Sequence, residues 1–194
     1  MANLDVLAQS DTARDRYVDS VTIGERTPLN GTVLLADYNP DWPMWFEGEA
    51  KKIKAILGDK ALHIHHVGST SVPGLCAKPV IDILLFVRDS AEEADYVPLM
   101  EAARYRLRIR EPDWYEHRLF KGPDVDINLH VFSEGCEEPE RMLAFRDWLR
   151  MNESDRELYA SVKRELANRA WTHIQHYADA KSKVVADIMA RAGK

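Results

Sequence analysis

The segment VIDILLFV, residues 80–87, constrains the fold most, because seven of its eight positions are apolar. Successive side chains of a strand point to opposite faces of the sheet, so both faces of this strand are apolar except at Asp82. Such a strand lies inside a sheet that is covered on both sides. A carboxylate there needs a cation, a metal ion or hydrogen-bond donors, or it must lie where the sheet opens to solvent.

Periodic patterns on either side of this strand predict the remaining elements. They predict a strand at 32–37, a helix from Trp42 that stops at Gly58, a strand at 63–67, a helix over 91–104 that Pro98 kinks or ends, and an antiparallel meander at 104–110, 114–122 and 124–132. From Pro139 onward every predicted element is a helix. One opens at a capping box of Ser154 and Glu157, with Leu158, Val162 and Leu166 on its buried face; the last buries Val184, Val185 and Ile188.

These elements predict an α+β fold, in which a mixed, largely antiparallel sheet carries packed helices and a helical C-terminal segment. The 194 residues are enough for one sizeable core, and residues 31–194 are predicted to form a single domain. Residues 1–30 are polar and aperiodic, which indicates a poorly structured N-terminal extension.

Composition excludes several classes of function. A net charge of −6 argues against a broad nucleic-acid surface, because phosphate binding needs clustered Lys and Arg. The two cysteines are far apart, which indicates free thiols in a reducing compartment. No apolar run is long enough to span a bilayer, so we expect a cytoplasmic protein without a membrane partner. The oligomeric state stays open.

The loop before the apolar strand has the residue types of a phosphate site. A glycine lets backbone amides approach an anion, hydroxyl groups donate hydrogen bonds to it, and a lysine adds positive charge. The residues concerned are Gly68, Ser69, Thr70, Ser71 and Lys78. A carboxylate a dozen residues later is well placed to hold Mg²⁺ against the same phosphates, so Asp82 is a candidate metal ligand and catalytic residue. The alternative is that the small residues only shape a connection.

The strand DVDINLHV, 124–131, carries a polar row on one face. If that face is shared with Asp82, Asp126 is a candidate second carboxylate and metal ligand, and His130 a metal ligand or proton carrier. The alternative is a solvated strand face. The segment RYRLRIR predicts a second row, with Arg104, Arg106, Arg108 and Arg110 on one face; such guanidinium groups bind phosphates or pair across strands with Glu116, Asp124 or Asp126.

The string from His66 to Leu84, H-x-GSTSVPGL-x-AKP-x-IDIL, resembles the signature of the GrpB family. The likeness continues through YNPDWPMWF, NLHVF, FRDWLR, LYASVK and YADAKSKVV, and so covers residues from about 32 to the end. The resemblance implies a fold similar to nucleotidyltransferases of the DNA polymerase beta type, with Gly68 and Ser69 as the Gly-Ser turn and Asp82 as the first acid. The second acid would fall at position 84, which is Leu84 here.

Two functions follow as hypotheses. In one, the chain is a magnesium-dependent nucleotidyl or phosphoryl transferase that uses Asp82, Asp126 and His130, with Lys78 or an arginine (Arg108, Arg110 or Arg118) on the developing charge. In the other, the pocket binds a nucleotide or another phosphorylated small molecule without turnover, as an accessory or sensor module. Leu84 favours the second, and the resemblance adds His66 as a residue beside the loop. Some family members are fused to dephospho-coenzyme A kinase, which implies an accessory link to nucleotide or coenzyme metabolism.

Overall fold

The computed structural model describes residues 11–26 and 28–193. The elements in chain order are α1 (Asp11–Val21), α2 (Trp42–Leu57), β1 (His63–Val67), β2 (Ile81–Val87), α3 (Val97–Ala102), β3 (Arg106–Glu111), β4 (His117–Lys121), β5 (Ile127–Ser133), α4 (Glu137–Met151), α5 (Glu153–Ala167), α6 (Ile174–Asp179) and α7 (Ser182–Arg191). Among the described helices, none is long and apolar enough to cross a membrane.

The five strands form one sheet in the order β1-β2-β5-β4-β3. Only β2 and β5 are parallel; the other neighbours are antiparallel, and β3, β4 and β5 are the predicted meander. The predicted α+β class with a mixed, largely antiparallel sheet is therefore confirmed. The parallel pair sets Asp82 opposite Asn128, so the polar row of β5 does share a face with Asp82.

The sheet is covered on both faces, as the apolar strand β2 required. One face packs its side chains, among them Ile83, Leu85 and Leu129, against α2 and α3 in the largest core cluster. On the other face, Leu84 and Phe86 contact Phe132 and Met142 of α4. Each fully buried side chain of this size contributes about 1.5–3 kcal/mol. That second face is apolar only near the C-terminal end of β2; the end that carries Asp82 stays polar.

The C-terminal helices form a second core in which Val184, Val185 and Ile188 are buried, as predicted. The start of α5 differs from the prediction: the Asn152 side chain accepts a hydrogen bond from the backbone N–H of Asp155 at 3.0 Å, so Asn152 is the N-cap and not Ser154. Asparagine caps a helix as well as serine does. The buried face is correspondingly shifted. Leu158 is 43% exposed, whereas Tyr159, Ala160, Lys163, Leu166 and Ala167 are buried.

One further predicted element is absent and another is shorter than expected. Residues 32–37 do not form a strand, since Ala36 makes only an isolated bridge with Ala77. The helix expected over 91–104 is reduced to α3, and Pro98 lies in its first turn. Proline is tolerated in the first turn because the N–H it lacks would be unbonded there. Pro98 therefore lies at the start of this helix and does not kink it.

The predicted row of four arginines on one face of β3 is wrong, because the strand contains a β-bulge. Leu107 pairs with Phe120 and Ile109 with Leu119, so the register shifts by one residue at Arg108. Arg106 pairs with Lys121 and Arg110 with Arg118, so Arg106 and Arg110 point to opposite faces. The guanidinium groups of Arg110 and Arg118 both bind Glu93, at 2.6 and 2.5 Å. The pairing alternative is confirmed for Arg104, which lies 3.7 Å from Asp124. Arg118 also pairs with Glu116, two residues earlier in the chain, at 3.2 Å.

The N-terminal segment is more ordered than predicted. Residues 1–10 lie outside the described residues, but residues 11–21 form α1, and the chain after it joins β3 through a hydrogen bond from the N–H of Ile23 to the carbonyl of Arg108, at 2.8 Å. Polar contacts help to hold α1 on the sheet; for example, Oη of Tyr17 donates a hydrogen bond to Glu111 at 2.8 Å. A prediction based on the spacing of apolar residues does not detect a helix that is held by polar contacts. The boundary between extension and domain stays a prediction.

Candidate functional site

A cavity of about 790 Å³ lies between the polar end of the sheet, the C-terminal helices and α1. Three carboxylates line it, those of Asp82, Glu111 and Asp179. The cationic side chains that line it are those of Arg14, Arg26, Lys78, Arg108, Lys121, Arg141, Arg146, Lys163 and Lys181. A chain of net charge −6 thus concentrates positive charge in one cavity, which favours an anionic ligand.

Asp82 lies on the floor of this cavity, directly against the Gly68 turn. Gly68 has φ of +67°, and a Cβ placed on it would stand 2.2 Å from Oδ2 of Asp82. The other carboxylate oxygen, Oδ1, accepts a hydrogen bond from Nδ2 of Asn128 at 2.8 Å. The acid in the apolar strand is therefore stabilised by a hydrogen-bond donor and by its position where the sheet opens into the cavity.

Three lysines from separate parts of the chain line the cavity together with Asp82: Lys78 of the loop, Lys163 of α5 and Lys181 between α6 and α7. Burial lowers the pKa of all three, to about 7 for Lys163 and about 8 for Lys181, while the charge of Asp82 opposes that shift in each case. Lys163 is buried and donates a hydrogen bond to the carbonyl of Cys76.

Among the described residues, two of these lysines lack a carboxylate partner, and the hydroxyl of a neighbouring tyrosine lacks a hydrogen-bond partner. Within the described part of the chain, no carboxylate oxygen lies within 4.0 Å of the ammonium groups of Lys78 or Lys181. Lys181 lies over the ring of Tyr177, with its Nζ 4.6 Å from the ring centroid. The buried Tyr177 hydroxyl has no hydrogen-bond partner among the described residues, and burial raises its pKa to about 12, so it stays a donor. Unpaired buried donors of this kind indicate a missing acceptor.

A chain of hydrogen bonds sets the tautomer of His130 at the edge of the cavity. Oε2 of Glu111 lies 2.6 Å from Nδ1 of His117, so that nitrogen carries the proton. Nε2 of His117 then accepts from Nδ1 of His130 at 3.0 Å. Burial lowers the pKa of both imidazoles, which keeps them neutral. Nε2 of His130 is consequently unprotonated, and it lies 4.0 Å from Oδ1 of Asp82.

The structure brings together most of the predicted site residues and leaves others apart. Residues Gly68, Ser69, Thr70, Lys78, Asp82, Arg108 and His130 line the cavity, whereas Ser71, His66, Asp126, Arg110 and Arg118 do not. Two hydroxyls of the loop are used locally: Thr70 bonds to His66 at 3.0 Å, and Ser71 donates to the carbonyl of Gly68 at 2.6 Å. His66 also stacks on Phe46, and burial lowers its pKa to about 4.

Sequence reasoning missed Lys163, Lys181 and Tyr177, and it did not identify Asn128 as the partner of Asp82. A usable signal was present. Lys163 lies four residues after Tyr159 and three before Leu166. This spacing places a charged side chain on the buried face of an amphipathic helix. Both lysines also fall in segments that carry the family resemblance.

The described side chains around Asp82 do not form the predicted magnesium site. The described residues contain no group of three His, Cys, Asp or Glu side chains that could hold a metal ion. Asp126 is exposed and its Oδ1 lies 2.6 Å from Nζ of Lys121, which also donates to Oδ1 of Asn128 at 2.9 Å. The side chains present therefore do not fit a two-ion centre of the kind the resemblance implies. The roles assigned to Asp82 and Asp126 stay predictions.

Comparisons with known proteins agree with the resemblance. A family model described as GrpB protein matches residues 32–191. A UPF0157 protein of Halalkalibacterium halodurans is 60% identical over 185 residues, which is 95% of each chain. A dephospho-CoA kinase of Mycolicibacterium paratuberculosis is 30% identical over 88% of this chain and 48% of its own length.

A solved structure described as GrpB also matches. The crystal structure of the conserved protein GrpB from Enterococcus faecalis matches with a TM-score of 0.71 and 34% identity, over 82% of this chain and 96% of that one. Cid1, solved in complex with its short product ApU, matches with a TM-score of 0.49 and 8% identity, over 66% of this chain and 41% of that one.

Proposed function

The chain belongs to the GrpB family, and we propose that its lysine-lined cavity binds a nucleotide or another phosphorylated small molecule. One observation carries the proposal: Lys78, Lys163 and Lys181 line one cavity together with Asp82, whose charge raises the pKa of each. Three buried or partly buried ammonium groups beside one acid are electrostatically unfavourable without a further anion. A phosphate group supplies that charge and several acceptor oxygens.

The shape and walls of the cavity support a ligand larger than inorganic phosphate. A volume of about 790 Å³ is within the range of pockets that hold nucleotide-sized molecules. Aromatic side chains line it beside the cations, among them Trp114, Phe145 and Tyr159, and such rings stack on bases. The likeness to a protein named dephospho-CoA kinase supports a ligand of nucleotide or coenzyme type.

Binding is tested by the melting temperature of the chain with and without nucleoside triphosphates, monophosphates and coenzyme A precursors. A ligand at a hundred times its dissociation constant stabilises the folded state by about 2.7 kcal/mol, which is a shift of several degrees. We expect Lys181→Gln to lose most of that shift. Lys183→Gln is the matched control, because the Lys183 side chain is 86% exposed and pairs with Asp187. Equal shifts in both variants would contradict the proposed site.

A second candidate, transfer of a nucleotidyl or phosphoryl group, is favoured by the unprotonated Nε2 of His130, 4.0 Å from Oδ1 of Asp82. That nitrogen can take the proton of an attacking hydroxyl, a step that contributes typically 10²–10⁴-fold to a rate. We expect His130→Asn to keep the hydrogen bond to His117, since the asparagine amide can replace Nδ1, and to keep ligand binding. Turnover, followed as product release, should fall by about that factor. An unchanged rate would remove His130 from any such reaction.

A further inference from the structure

We propose that the cavity binds its phosphorylated ligand as the metal-free anion, with lysine ammonium groups in place of divalent cations. This inference rests on the proposed function and specifies the form in which the ligand is bound. It follows from three features of the site: which carboxylates face the cavity, what their oxygens already bind, and where the positive charge lies.

The carboxylates of the cavity are poorly suited to a hard divalent cation. Magnesium prefers an octahedral set of oxygen ligands. Glu111 is engaged by Tyr17 at 2.8 Å and by His117 at 2.6 Å. Oδ1 of Asp179 accepts from Gln175 at 2.8 Å, and its Oδ2 lies 3.5 Å from Nε of Arg14. Of the three carboxylates that line the cavity among the described residues, Asp82 is the one without an ion-pair partner closer than 4.0 Å, and Asn128 presents an N–H to it, not an oxygen.

A lysine already occupies the place of a second cation. Nζ of Lys121 lies 2.6 Å from Oδ1 of Asp126 and 2.9 Å from Oδ1 of Asn128. These are the two oxygens next to Asp82 along the same face of the sheet. The contact also fixes the orientation of the Asn128 amide, because only its oxygen can accept from an ammonium group. Lys121 thus uses the acceptors that would otherwise complete a metal site around Asp82.

The lysines around Asp82 add to this effect. A divalent cation at Asp82 would share the cavity with the ammonium groups of Lys78, Lys163 and Lys181, which would repel it. The same three ammonium groups attract a free polyphosphate more strongly than a magnesium complex of it, since the complex carries less negative charge. Asp82 itself repels the anion, so its charge limits affinity in this arrangement.

Calorimetric titration with inorganic tripolyphosphate and with ATP, in EDTA and then in excess Mg²⁺, tests the inference. We expect binding in EDTA, weakened about tenfold or more by Mg²⁺. Asp82→Asn should bind about tenfold more tightly, because it keeps the acceptor for Asn128 and loses the repulsive charge. Lys181→Gln should lose binding in EDTA, while Lys183→Gln should not.

A metal-mediated site gives the opposite pattern. Binding that requires Mg²⁺, or that Asp82→Asn abolishes while its circular dichroism spectrum stays that of the parent chain, would overturn this inference and leave the proposed function standing. If Asp82→Asn does not fold, the comparison of EDTA with Mg²⁺ in the parent chain decides the question alone. No binding of either probe under either condition would overturn the proposed function and this inference together.

Discussion

Gly68→Ala is expected to lower the free energy of unfolding by about 2–5 kcal/mol and to weaken anion binding, because the turn at Gly68, which lines the cavity, cannot keep its position against Asp82. An alanine at φ of +67° costs about 1–2 kcal/mol, and forcing atoms together in a packed site adds about 1–3 kcal/mol. The added Cβ would stand 2.2 Å from Oδ2 and 2.9 Å from Cγ of Asp82, so the carboxylate must move away from the turn. Urea denaturation measures the stability, and calorimetric titration with tripolyphosphate measures the binding.

Gly74→Ala is the matched control for this variant. Gly74 lies in the same connection at φ of +79°, but nothing lies within 4 Å of a Cβ placed there. It should therefore show only the backbone cost, about 1–2 kcal/mol. The excess loss in Gly68→Ala should shrink in the Asp82→Ala background, which removes Oδ2 and Cγ. Equal losses at the two glycines would mean that contact with Asp82 does not require glycine at position 68.

The parts of the fold that the sequence predicts correctly are those with a strong local pattern. The apolar strand β2 and the helix from Trp42 to Leu57 are examples, since period and end signals agree in both. The arginine row of β3 has an equally regular pattern and yet the prediction was wrong. A bulge depends on how β3 pairs with β4, and the alternation within one strand does not contain that information.

The candidate site shows the same division. Gly68 and Asp82 are close in sequence, so the loop and strand that contain them predict their contact. Lys163 of α5 and Lys181, just before α7, share the cavity with Asp82 only because segments about eighty or more residues later fold back over the sheet. Asn128 was recognised as part of a polar row, but its hydrogen bond to Asp82 depends on the parallel pairing of β2 and β5, which no local period encodes.

Lys163→Met is expected to stabilise the fold while weakening phosphate binding. Burial, with a smaller contribution from Lys181 and Arg164, lowers the pKa of Lys163 from 10.5 to about 7, against the opposing effect of Cys76 and Asp82. The folded state thus opposes protonation of this lysine, and replacing a buried charge by an apolar side chain of similar length stabilises proteins by about 1–4 kcal/mol. Loss of the hydrogen bond to the Cys76 carbonyl offsets part of this gain.

The pH dependence of that stabilisation identifies its origin. The pKa is lower in the folded state than in the unfolded one, so the penalty is fully present below about pH 7, declines as the pH rises toward 10.5, and is absent above it. Urea denaturation at about pH 6 should therefore show the gain, and at about pH 10 little of it. Lys51→Met, at an exposed position in α2, should leave stability and tripolyphosphate binding unchanged at both pH values.

If Lys163→Met is less stable than the parent chain at about pH 6 and binds tripolyphosphate equally well, Lys163 serves the fold through Cys76. Higher stability with weaker binding means that the buried ammonium group is kept for its ligand, at a cost to the fold.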